Sequence, residues 1–143
     1  MSVVVKRIEK DVWVSSFSEH AHKAVFEELK PKEWDRIDYA LITVNEQDEP
    51  TCYMTCREFS HDTVYWQYGG SFPNVRGTVG SYVGYTAFRD WHKERYARVV
   101  TYIENTNSKM LKMAASIGFI ITGVRNYKGE VLLEHLLEFK NEN

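Results

Sequence analysis

Cysteine is scarce in this sequence: there are two in 143 residues, Cys52 and Cys56. Four positions apart on one strand, they point to the same side with Cα atoms ~13 Å apart, out of reach of a disulfide. A disulfide scaffold is thereby excluded, and a reduced, cytoplasmic setting is expected. Three prolines and eight glycines are too few for a collagen-like or low-complexity chain. Long apolar runs are missing. The opening MSVVVKRIEKD has none, so neither a signal peptide nor a membrane span is expected. An excess of one charge is also missing: 18 Lys and Arg face 20 Asp and Glu, a net charge of −2, and the pI is about 6.2. A face that grips nucleic acid needs basic residues to neutralise phosphates, so no nucleic-acid partner is expected. The five histidines follow no zinc-ligand spacing. His20 and His22, two apart on a helix, face different sides, and His61, His92 and His135 are scattered, so no metal is expected.

What the chain does have is an ordinary globular composition: 43% hydrophobic, 27% charged and 14% aromatic residues. The length predicts one domain over residues 1–143, long enough to bury a core without metal or disulfide. The pattern predicts a first strand at Ser2–Ile8. A helix follows at Ser18–Leu29, with Ser18 as N-cap and Pro31 as its stop, then a short helix at Lys32–Ile37. Three strands follow at Asp38–Val44, Thr51–Phe59 and Thr63–Tyr68, separated by short polar turns, as in an antiparallel meander.

The segment from Gly69 to Gly77 reads as a loop with three glycines and one proline. It opens a helix from Val79 to about Arg95, with Thr78 as cap and an apolar stripe of Val79, Val83, Ala87 and Trp91. Gly80 and Gly84 beside that stripe allow close approach to a sheet. A strand at Arg98–Glu104 and a helix at Asn105–Ser116, ended by Gly118, come next. A hairpin of Phe119–Arg125 and Glu130–Phe139 around Asn126–Gly129 closes the chain. The order β-α-α-β-β-β-α-β-α-β-β places one strand–helix–strand crossover, hence one parallel pair, inside an otherwise antiparallel sheet. The class is mixed α/β.

One feature carries chemistry. A strand leads through a Gly-rich loop containing Arg76 into a helix. Free N–H groups and the positive dipole end of a helix N-terminus bind anions, and an Arg adds a charge-assisted bond. Val75–Ser81 is therefore a candidate cradle for a phosphate or pyrophosphate.

The arrangement over nearly the whole chain resembles the GCN5-related N-acetyltransferase (GNAT) family. The best-matched part is Asn107 to Phe119, where Asn107, Gly118 and Phe119 fit the family pattern N-x-x-A-x-x-x-Y-x-k-x-G-F. In the loop, Pro73, Arg76 and Gly77 fit P-x-x-[RQ]-G-x-G-x-[GA], whereas Val79 and Ser81 stand in place of later glycines. The resemblance implies a mostly antiparallel sheet with helices on both faces and an acetyl-CoA site. Gly70, Ser71 and Phe72 would meet the pantetheine arm, with Asn107 on its other side. Arg76, Gly77, Thr78, Val79, Gly80 and Ser81 would hold the pyrophosphate.

The implied activity is direct transfer of an acetyl group to a primary amine on a small molecule or a protein. The oxyanion would rest on backbone N–H groups at a strand bulge near Gly69 and Gly70. Glu104 and Tyr68, at the ends of the two central strands, are the candidate proton acceptors. The family's Tyr corresponds to Ala114, which has no hydroxyl. That departure sustains an alternative: a fold kept as a binding or structural module, similar to small GNAT-like proteins of tailed bacteriophages. The hydrophobic strand Glu130–Phe139 has two readings, a strand buried inside the sheet or one that pairs across a homodimer.

Overall fold

The computed structural model describes residues 2–26 and 36–139. Seven strands form one sheet in the order β1-β2-β3-β4-β5-β7-β6. The strands are β1 (Val4–Glu9), β2 (Tyr39–Val44), β3 (Pro50–Ser60), β4 (Thr63–Ser71), β5 (Arg98–Glu104), β6 (Ile120–Tyr127) and β7 (Glu130–Glu138). Every pairing is antiparallel except β4 with β5. That parallel pair requires the crossover through α3 (Val79–Lys93), since no tight turn can join parallel strands. The expected mixed α/β class, with its single parallel pair, is the observed one. The final strand lies inside the sheet between β5 and β6, and the edge belongs to β6.

Alternation along β3 divides the core in two. Cys52, Met54 and Cys56 enter the larger apolar cluster with α3 and α4 (Ser108–Ser116). Tyr53, between them, enters the smaller cluster with Trp13, Ala21 and Phe72. Both cysteines are buried and free.

Two helical expectations need correction. The first helical stretch begins well before Ser18: α1 (Lys10–Val12) runs through a π turn at Trp13–Phe17 into α2 (Ser18–Phe26). Ser18 is thus inside the helical stretch, and its hydroxyl donates to the Val14 carbonyl at 2.9 Å instead of capping. The wider π turn leaves Trp13 fully buried, stacked against Tyr53 at 5.3 Å. The expected end at Leu29, and most of the short helix over Lys32–Ile37, lie outside the described residues.

The second correction concerns α3. Its buried residues are Gly80, Gly84, Tyr85, Phe88 and His92, about one residue round from the expected stripe. Val79, which heads that stripe, is 67% exposed. The glycines explain the rotation. A Cβ on Gly84 would run into Cys52 Sγ and lie 3.1 Å from Cys52 Cβ and 3.3 Å from Thr43 Oγ1. The backbone itself is the contact surface there, and counting apolar side chains cannot detect it.

The remaining ends follow their local chemistry. Thr78 caps α3, accepting from the Gly80 N–H at 3.1 Å. Asn107 caps α4, accepting from the Met110 N–H at 3.3 Å. α4 ends in a Schellman arrangement: Gly118 takes φ +111° and Phe119 N–H returns to the Ala114 carbonyl at 3.0 Å. Lys128 and Gly129 both have positive φ, 50° and 81°, which makes the β6–β7 connection a two-residue turn matched to sheet twist.

Candidate active site

β4 and β5 pair only from Thr63–Trp66 against Arg98–Thr101. At the last rung Thr101 Oγ1 donates to the Trp66 carbonyl at 2.9 Å. Beyond it the two strands separate. The cause lies in β4: Thr55 pairs with Tyr68 and Cys56 with Trp66, which leaves Gln67 as an extra residue. A bulge of this kind bends the strand and re-aims the residues beyond it. The bulge expected near Gly69 and Gly70 is thus at Gln67, because those glycines pair regularly with Met54 and Tyr53. Gly69 nonetheless sits tight: a Cβ there would lie 2.6 Å from Met54 Sδ and 2.8 Å from the Tyr53 carbonyl oxygen.

The separation opens a cleft of about 340 Å³. Gln67, Tyr68 and Gly69 line one side, Tyr102, Ile103 and Glu104 the other. Asn107 and Ala114 border it from the α4 side, and Tyr127 and Glu130 from the hairpin turn. Three of the residues expected to act, Tyr68, Glu104 and Asn107, therefore share one cavity. Ala114 is 3% exposed and lines the same cavity without a polar atom in its side chain.

The other expected residues gather at the far end of β4. Phe72 N–H donates to the Thr51 carbonyl at 2.8 Å. By alternation Phe72 and Gly70 turn their backbone groups toward β3, while Gly69 and Ser71 turn theirs toward the gap. The Phe72 ring is buried against Tyr53, 6.0 Å between centroids. Ser71 Oγ is hydrogen-bonded to Ser81 Oγ, which ties the end of β4 to the first turn of α3. In the connecting loop Arg76 is exposed and Gly77 takes φ +75°, a conformation costly for any residue with a side chain. The N–H groups of Arg76, Thr78 and Ser81 donate to loop carbonyls, and that of Gly80 to the Thr78 cap. Gly77 and Val79 have no backbone acceptor among the described residues, so two donors remain at this helix N-terminus.

Residues that the sequence did not single out complete the cleft. Tyr85, from the second turn of α3, lines it, and its hydroxyl is buried without a hydrogen-bond partner. Burial pushes that phenol well above its ordinary range, with the neighbouring Cys52 adding to the effect. His92, one face of the same helix further on, supports the floor. Its Nδ1 lies 2.8 Å from the Phe88 carbonyl, which can only accept, so Nδ1 carries the proton. Nε2 then accepts from Tyr39 O–H at 2.9 Å. Trp66 Nε1 lies 3.3 Å from Nδ1, and the indole packs on the imidazole, 5.6 Å between ring centroids. Burial is the main cause that drives His92 down to about 4, so the ring is neutral. A glycine-flanked tyrosine beside an apolar stripe was the one sequence signal for Tyr85; the one-residue rotation of α3 concealed it.

Among the described residues, no helix is long and apolar enough to cross a membrane, and no group of three or more His, Cys, Asp or Glu is placed to hold a metal. No protein-family model and no curated protein sequence matches the chain. Solved structures do match. A chimera built on the spermidine N-acetyltransferase of Vibrio cholerae superposes with a TM-score of 0.75 at 12% identity, over 96% of both chains. The ribosomal-protein-S18-alanine N-acetyltransferase of Escherichia coli gives 0.75 at 10% identity, over 99% of this chain and 97% of that one. The Vibrio cholerae spermidine N-acetyltransferase in complex with CoA and spermine gives 0.72 at 9% identity, over 96% and 95%. The fold is that of the GNAT acetyltransferases. Within that fold, β4 and β5 of this chain part after Trp66 and Thr101, and alanine stands at position 114.

Proposed function

We propose that this chain is an acetyl-CoA-dependent N-acetyltransferase of the cytoplasm, in which residues 1–143 form one domain that acetylates a primary amine by direct transfer. The observation that carries the reading is the parting of β4 and β5 at Gln67, which opens a cleft holding Tyr68, Glu104 and Asn107 together. One feature of the chain suits CoA: at the α3 N-terminus, reached through Gly77, the N–H groups of Gly77 and Val79 have no backbone acceptor among the described residues, which leaves them for a pyrophosphate. Bound there, acetyl-CoA supplies an acyl thioester.

The chain's own residues do the rest. Arg76 and the backbone from Gly77 through Ser81, with Thr78, Val79 and Gly80 between, hold the phosphates. Gly70, Ser71 and Phe72 end the strand along which the arm lies, and Asn107 meets it from across the gap. Glu104 or Tyr68 accepts the proton that the amine must lose. The acceptor is a small-molecule or protein amine.

Calorimetric titration with acetyl-CoA, then transfer assays on a panel of primary amines, tests the reading. Micromolar binding and acetylation of a panel member support it. Ala114 favours a second reading, in which the fold serves as a binding or structural module without chemistry; absence of binding at millimolar acetyl-CoA is its expected result.

A further inference from the structure

The sheet ends on two unlike edges, β1 and β6. An edge strand leaves a row of N–H and C=O groups open to another strand, and charge or proline normally guards it. β1 is guarded. It carries Lys6, Arg7 and Glu9, with Lys6 ion-paired to Asp48 and Arg7 to Glu9. β6 carries no proline, no lysine and no acid, and Arg125 is its one charge. Its Ile120, Ile121, Val124 and Tyr127 are between 47% and 67% exposed. No strand among the described residues pairs with its outer side.

That outer side is complementary to itself. The turn at Lys128 and Gly129 closes on Tyr127 and Glu130 as a hydrogen-bonded pair. By alternation Val124 and Asn126 turn their backbone groups away from β7. Two copies laid antiparallel about a twofold axis at Val124 exchange those bonds, and each Arg125 then faces Gly123 of the other copy. Glu134 lies just behind that glycine. The atoms nearest to a Cβ on Gly123 would be Cβ and Oε1 of Glu134, both at 3.8 Å. Arg125 is on the same face of the sheet, its guanidinium 4.8 Å from the centre of the Tyr102 ring, and Tyr102 is the cross-strand neighbour of Glu134. Two strand spacings, ~10 Å between Cα atoms, separate Arg125 of one copy from Glu134 of the other, a span that the two side chains bridge. Glu134 accepts from Thr122 O–H at 2.7 Å and Tyr102 O–H at 3.4 Å. No cation among the described residues is ion-paired with it.

The bulge in β6 fits the same register. Thr122 is its extra residue, so that Thr122 and Gly123 together face Glu134. With the same skip on the outer side, Ile121 meets Asn126 of the second copy and Ile120 meets Tyr127, which covers all four exposed apolar side chains. An axis one residue on would set Arg125 opposite Arg125, and like charges directly opposite are destabilising. We propose that β6 is the interface of a homodimer, in which a second copy of this chain joins the sheet antiparallel across Val124 and pairs Arg125 with Glu134 twice. Tyr127 also borders the cleft, so the interface backs one wall of the candidate site.

The test needs no cofactor. Sedimentation equilibrium of the wild type is expected to show a mass rising toward twice the 16.8 kDa of one chain. A pairing through one strand corresponds to a Kd of ~1–100 μM. Val124→Arg sets two like charges on the axis and raises that Kd ~100-fold. Its circular dichroism stays that of wild type, because position 124 is exposed. Arg125→Glu and Glu134→Arg each bring like charges together at both contacts, so each alone is monomeric. Mixed in equal amounts, they restore unlike pairs at both contacts and sediment as a dimer. Should Glu134→Arg fail to fold, Val124→Arg decides alone. A wild type still monomeric at ~200 μM, or a dimer that Val124→Arg leaves intact, overturns the interface. A mixture of folded variants that stays monomeric while wild type dimerises overturns the Arg125–Glu134 register.

Discussion

Single side chains set the sharpest tests. Arg76 stands exposed in the loop two residues before the α3 cap, where its guanidinium would meet a bound phosphate in water. Arg76→Ala is expected to weaken CoA binding by ~1.5–3 kcal/mol, as for a hydrogen bond to a charged group; unchanged calorimetric affinity removes it from the phosphate site. Glu104 lines the cleft at the end of β5. Glu104→Gln keeps the shape and deletes the base, so turnover should fall ~100-fold with cofactor affinity unchanged. Equal turnover in the two proteins transfers the role to Tyr68. Both residues were legible in sequence because each closes a strand or opens a helix. The unpartnered hydroxyl of Tyr85 was not, because a missing partner is a property of three-dimensional surroundings.

At the scale of elements, Asn107 combines two tasks. Its side chain caps α4 through the Met110 N–H, and it borders the cleft. Asn107→Ala should cost ~1 kcal/mol of stability through the lost cap. Asn107→Asp restores the cap but has no amide N–H to donate. Thermal melts and CoA titrations of the pair therefore separate the tasks: recovered stability with weakened binding marks a cofactor contact, and full recovery of both marks a cap alone. The α3–sheet contact offers a second test. Gly84→Val places branched carbons against Cys52 and Thr43, and overpacking of this kind costs ~1–3 kcal/mol or more, read as a lower denaturant midpoint. The N-cap residue Thr78 and the αL glycine Gly118 were visible as local signals, whereas the helix expected from Asn105 starts only at Ser108, which makes Asn107 its cap. The face of α3 was not visible, because glycines carry no hydropathy and the helix turns its backbone to the sheet.

For the molecule as a whole, pH acts through His92. This ring is fully buried and neutral, its value lowered from 6.5 to about 4, mainly by desolvation. Between those values the unfolded chain binds a proton that the folded chain refuses, so stability rises with pH across that window. It is fully present above 6.5 and is lost as pH falls toward about 4. The gap is worth roughly 3 kcal/mol. Urea melts at about pH 7 and about pH 4.5 should differ accordingly, and His92→Gln should flatten the difference. Asp62, held down to about 2 by bonds from Ser60 and Thr63, loses its contribution only below its ordinary 3.8, under the His92 window. An unaltered slope in His92→Gln would show that another group carries the dependence.

The order of strands, the single crossover, the Thr78 cap and the hairpin turn were readable from the chain alone. Each depends on residues within a few positions of one another, where backbone sterics and capping act directly. Which side of α3 meets the sheet, where β4 bulges and which hydroxyl stands without a partner depended on groups brought together from distant parts of the chain. Tyr85 and Ala114 share a cleft only because β4 and β5 separate after Trp66 and Thr101. That separation comes from one extra residue accommodated against β3, and register between strands is settled by packing across the whole sheet.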